Sequence, residues 1–90
     1  MNFEWSEAKA AKNLAKHGVS FGEATLVFSD PNRLTVQDCR HDSEVRHNTT
    51  GSVAGVIFLT VTHTDRAGVT RIISARRASR QERNAYHAND

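Results

Sequence analysis

Cysteine, proline, tryptophan and tyrosine each occur once in these 90 residues, glycine occurs five times, and aromatic residues make up only 7%. With Cys39 as the single cysteine, no internal disulfide can form, so the fold stands on packing and a reducing, cytoplasmic setting is expected. No apolar run approaches the roughly 20 residues of a membrane span. The N-terminal stretch MNFEWSEAKAAKN carries acids where a signal peptide has its apolar segment, so no membrane role is expected. The chain has no glycine-rich phosphate loop, no nucleophile elbow and no readable pair of catalytic carboxylates. Cys39, His41 and His47 fit no compact zinc spacing and lack a fourth ligand, so neither a metal nor another cofactor is expected.

What is present is enough for one domain over residues 1–90. At this length and 38% hydrophobic content the chain can bury roughly two thirds of its unfolded surface. The net charge of +2 conceals a split: residues 1–45 hold five Lys/Arg and seven Asp/Glu, and residues 46–90 hold seven and three. That gives −2 and +4, and a basic face contributed by the second half suits a polyanion or an acidic partner.

The pattern predicts an α+β domain with a short N-terminal strand, two helices, an antiparallel sheet and a C-terminal helix. Phe3-Glu4-Trp5 alternates as a strand, and Ser6 caps a helix over EAKAAKNLAKH that Gly18 stops. Ala8, Ala11, Leu14 and Ala15 form its expected packing stripe, with Lys9, Lys12 and Lys16 recurring on a solvated side. SFGE is a capping box that opens a second helix, ended by Ser29-Asp30-Pro31-Asn32. Strands follow at LTV, VRHNTTG, VIFLTVTHT and VTRIISARR, with QDCRHDSE as a polar loop, a Gly-containing turn between VRHNTTG and VIFLTVTHT and another turn at DRAG. Strict alternation places Arg71, Ile73, Ala75 and Arg77 on one face of the last strand and Ile72, Ser74 and Arg76 on the other. SRQE repeats the capping box, so RQERNAYHA reads as the terminal helix.

Arg76 and Arg77 thus lie between an apolar strand and a capped helix and are held in order, where arginine can grip phosphate through its planar fork. On strand parity Arg71 and Arg77 share a groove, and Arg80 and Arg83 make the first turn of the last helix basic. His63 continues a core face at a strand end and is either a proton shuttle or a satisfied core histidine. His17 ends a helix, where a cation favours the dipole. A small enzyme with only a shallow basic groove suits a substrate that brings its own nucleophile, as RNA does in its 2′-OH.

FEWSEAKAAKNLAKHGVSFGEA, VFSDP, VTHTDR and RIISARRASRQERNAY, in that order, resemble the BrnT toxin family of type II toxin–antitoxin systems. The resemblance implies a RelE/ParE-like fold, metal-independent ribonuclease activity that arrests growth, and a BrnA-type antitoxin that carries the DNA-reading part. Promoter DNA would then be met only through that antitoxin. It also implies that Arg71, Arg76, Arg77 and Tyr86 act on the scissile phosphate, with Lys16 and His17 brought in by the KHG motif. His63 completes the expected catalytic set, and Arg46, His47, Arg80 and Arg83 are expected to contact RNA. At His47 this chain departs from the aromatic residue of many relatives. Two other readings stay open: a non-catalytic antitoxin-binding module and a ParE-like gyrase poison.

Overall fold

The computed structural model describes residues 1–41 and 44–88, with the side chains of residues 39–41 outside the described set. Strand β1 (Asn2–Glu4) is followed by helix α1 (Glu7–His17), helix α2 (Phe21–Ala24) and a 3-10 turn, Thr25–Ser29. Then come β2 (Leu34–His41), β3 (Glu44–Val53), β4 (Ile57–Arg66), β5 (Val69–Arg77) and helix α3 (Arg80–Ala88). The sheet order is β1-β5-β4-β3-β2. The four later strands pair antiparallel, as the short connections require. They are the antiparallel sheet expected from about Leu34 to Arg77; β1, for which no pairing was expected, joins β5 in parallel, so the sheet as a whole is mixed. The connection from β1 to β5 is long enough for a parallel pair, since it crosses by the helices to β2 at the far edge and returns through β3 and β4.

The caps behave as read. Ser6 accepts from the Lys9 N–H at 3.3 Å, Ser20 from Glu23 at 3.0 Å and Ser79 from Glu82 at 3.1 Å, while Gly18 ends α1 at φ 72°. The β4–β5 turn sets Ala67 and Gly68 at φ 53° and 80°, the handedness that matches the twist of a two-residue hairpin. Three boundaries differ from expectation. The second helix is one α turn continued as a 3-10 turn, and β2 runs on through most of the expected polar loop, paired with β3 despite a register shift between Gln37 and Arg40. Gly51 lies inside β3, because its missing Cβ is where Val27 packs: a Cβ there would meet Val27 Cγ1 at 2.9 Å.

One sheet face carries the core, in which Val19, Phe21, Ala24 and Val27 pack on Val53, Leu59, Val61, Ile72 and Ala75. The expected stripe of α1 is not what docks. Ala8, Ala11, Leu14 and Ala15 are all exposed, whereas Asn13 is buried. Its amide donates to the carbonyls of Ala75 (2.8 Å) and Val19 (2.9 Å) and accepts from the Ala75 N–H (3.1 Å). β1 pairs with β5 only from Val69 to Arg71, so beyond that point Asn13 takes the place of a neighbouring strand.

Candidate functional site

The face opposite the core is built by β4, the central strand, whose alternation puts Thr60, Thr62 and Thr64 there and Leu59, Val61 and His63 on the packed side. What β5 presents beside these threonines depends on one irregularity. Thr62 pairs with Ser74, but the next residue, His63, pairs with Ile72, so Ile73 is an extra residue in a bulge. Parity reverses across it. Arg71 pairs with Thr64 and Arg76 with Thr60, both on the second face, whereas Arg77 pairs with Leu59 on the core face. The expectation that Arg71 and Arg77 share a groove is therefore corrected, and the arginines that share a face are Arg71 and Arg76.

Arg46 joins them from β3. It lies one residue beyond the His47–His63 pair, so alternation sets it across Thr64 from Arg71. Its Nε is buried and has no acceptor among the described residues, a donor that an anionic oxygen would satisfy. Arg71 donates to Glu4 Oε2 at 2.8 Å, and the two border a depression of about 320 Å³ with Glu44, Thr64, Arg66 and Val69.

Arg76 is the most firmly held of the three. Its Nη1 and Nη2 reach Glu82 Oε1 and Oε2 at 2.7 and 2.8 Å, a two-point fork. Glu82 also accepts from the Thr60 hydroxyl at 2.9 Å and the Ser79 N–H at 2.8 Å. The Arg76 hydrogen bonds, helped by Ser79 and Thr60 against the cost of burial, hold the Glu82 carboxyl down at about 2. The same bonds raise Arg76 above its ordinary value.

His63 is on the other side of the sheet from these arginines. It is 3% exposed, with Nδ1 3.1 Å from Asp65 Oδ1, Nε2 2.7 Å from Thr49 Oγ1, and Phe28 edge-on at 4.9 Å. A carboxylate can only accept, so Nδ1 carries the proton and Nε2 accepts from Thr49, whose oxygen in turn accepts from Thr35 at 2.8 Å. Burial lowers the His63 pKa against the pull of Asp65, so the neutral ring fits a satisfied core histidine. His47 stands beside it, ring centroids 5.7 Å apart.

Tyr86 is buried in α3 and donates to Asp30 Oδ2 at 2.7 Å. Burial raises the Asp30 pKa, but hydrogen bonds from the Ser52 N–H, Tyr86 and the Asn32 N–H outweigh it, and the net shift is downward. Asp30 thus ties α3 to the β3 edge. Arg80 and Arg83 are exposed on α3, and Lys16 and His17 lie at the end of α1 beside β5. The fold therefore sets Arg46, Arg71 and Arg76 on one face, with Lys16, His17, His47, His63 and Arg77 off it, while Tyr86 packs on Phe58 on that same side of the sheet with its hydroxyl turned to Asp30. Residue reading missed Glu82 as the anchor of Arg76, although the capping box had already placed its carboxylate at that strand end. Among the described residues no group of three or more His, Cys, Asp or Glu is placed to hold a metal ion, and the Cys39 and His41 side chains lie outside the described residues.

A family model described as "Ribonuclease toxin, BrnT, of type II toxin-antitoxin system" matches residues 5–82. Among solved structures, the chain is similar to the 1.1 Å crystal structure of the Brucella abortus ribonuclease toxin BrnT, at 24% identity and a TM-score of 0.72. That likeness covers 89% of this chain and 99% of the other. A comparison with curated proteins returned no match.

Proposed function

The chain belongs to the BrnT family of ribonuclease toxins of type II toxin–antitoxin systems, and on that premise we propose that it cleaves RNA on the second sheet face without a metal. The observation that carries this reading is the bulge at Ile73, which brings Arg71 and Arg76 to one face with Arg46. Three guanidinium groups around a row of threonine hydroxyls suit a phosphate whose charge grows as the reaction proceeds. The 2′-oxygen of the substrate forms a bond to phosphorus while the P–O5′ bond breaks, leaving a 2′,3′-cyclic phosphate and a 5′-hydroxyl. The 2′ proton goes to a base and a proton is returned to the departing 5′-oxygen. Glu4 and Glu44 line the depression beside Arg71 and are candidates for that base. Glu82 occupies both terminal nitrogens of Arg76 and fixes the guanidinium in place, so a phosphate would meet its remaining N–H groups.

The family implies an antitoxin, which we take to be of the BrnA type and to silence the chain by covering this basic face, promoter DNA being met only through it. The helices on one side of the sheet and α3 on the other support a RelE/ParE-like placement. Incubation of the purified chain with naked RNA, with and without EDTA, tests the proposal. Cyclic phosphate ends unaffected by EDTA are expected. Intact RNA together with inhibited gyrase supercoiling would favour a ParE-like poison instead.

A further inference from the structure

Helix α1 docks on the sheet through Asn13 and Ala10 and flanks that contact with exposed charge where an amphipathic helix would carry further apolar side chains. Asn13 fixes its rotation by bonding the Ala75 backbone, and Lys9, Lys16 and His17 are four before, three after and four after it, on the same helical face. With Lys12 they line a cleft of about 220 Å³ completed by Asn13, Ile73 and Ser74. Among the described residues, none of the three lysines has a carboxylate within ion-pair distance. Like charges at spacings of three and four residues repel along a helix, so this arrangement costs stability unless something anionic occupies the cleft.

The cleft also connects with the proposed site. Ser74 lies on the second sheet face, paired with Thr62 between Arg71 and Arg76, and the bulge residue Ile73 turns toward α1. We propose that this lysine cleft is a second RNA site, which holds the sugar–phosphate backbone of the strand leaving the arginine face across the β5 edge. The proposal rests on the ribonuclease reading above. Lysines are point charges that neutralise phosphates without demanding the planar geometry of a carboxylate. A protein segment would need apolar anchors, and Ile73 is the only non-polar residue among the described residues of the lining.

The test uses a single-stranded RNA with every 2′-OH methylated, so that it binds and is not cut, and follows fluorescence anisotropy across a salt series. Each neutralised phosphate contributes about 0.7 to the slope of log affinity against log salt for single strands. The triple variant Lys9→Gln, Lys12→Gln, Lys16→Gln should lower that slope by about 2 and weaken binding roughly 10–100-fold near 0.15 M salt. The matching triple replacement by arginine should keep the slope. An unchanged slope in the glutamine variant, with its thermal unfolding intact, overturns the proposal. So does a variant that binds RNA normally but escapes its antitoxin, since the cleft would then be a protein site. If the wild-type chain binds methylated RNA through these lysines yet leaves ordinary RNA uncut, the ribonuclease reading fails and the cleft stands.

Discussion

Arg76 and Glu82 are joined by two hydrogen bonds of 2.7 and 2.8 Å that close the end of β5 onto the first turn of α3. The carboxylate is a hub, also bonded to Thr60 and Ser79, so its removal strands four donor groups on three residues at once. Glu82→Gln should lower stability by about 1–3 kcal/mol near neutral pH. The folded pKa of about 2 lies below the ordinary 4.5, so this contribution is complete above the unfolded value and fades as pH falls from 4.5 through 2. Urea unfolding of both proteins across that window checks it. A stability difference that stays constant with pH would remove Glu82 as the cause.

Asn13 offers a second test, away from the arginines. Asn13→Ala leaves the Ala75 N–H and carbonyl, and the Val19 carbonyl, without their partner in a buried setting. A loss of about 2–3 kcal/mol is expected, with faster hydrogen exchange at the Ala75 amide. Unaltered exchange at that amide would show that the side chain does not guard the strand edge.

These residues also mark where the sequence was legible. The caps at Ser6, Ser20 and Ser79 are local, three residues from donor to acceptor, so their signals survived into the fold. The face of α1 was misread because periodicity follows apolar residues, and here the docking residue is a polar one whose partner lies 62 positions away. The bulge left no trace because Ile72 and Ile73 are both apolar, and either could fill the core position. Alternation therefore grouped Arg71 with Arg77. That basic residues crowd this strand end was readable, while which of them share a face depended on tertiary register.

His63 should set a pH limit of its own. Burial holds its folded pKa below the ordinary 6.5, opposed by Asp65 and aided by nearby His47. The unfolded chain then binds a proton more readily than the folded one, so stability is full above about pH 6.5 and is lost as pH falls through the lower folded value. His63→Gln is expected to be less stable at neutral pH and to lose less on acidification than the wild type. Melting curves in which both proteins decline in parallel would assign the acid sensitivity to another group.

The sharpest prediction separates two adjacent arginines. Arg76 lies on the second face beside Thr60, fixed by Glu82, and Arg77 follows it onto the core face, opposite Leu59 and exposed. If the second face holds the scissile phosphate, Arg76→Ala should lower RNA cleavage by about 10²–10³-fold, the effect of losing one preorganised charge-stabilising donor. Arg76→Lys should recover only part, because a point charge cannot engage Glu82 and a phosphate through two planar edges. Arg77→Ala should stay within about threefold of wild type, as a surface change remote from the chemistry. Single-turnover cleavage of a defined RNA measures all three, and antitoxin binding with circular dichroism checks that each variant folds. A folded Arg76→Ala protein that cleaves at the wild-type rate, or an Arg77→Ala protein that fails, would move the site to the other side of the sheet.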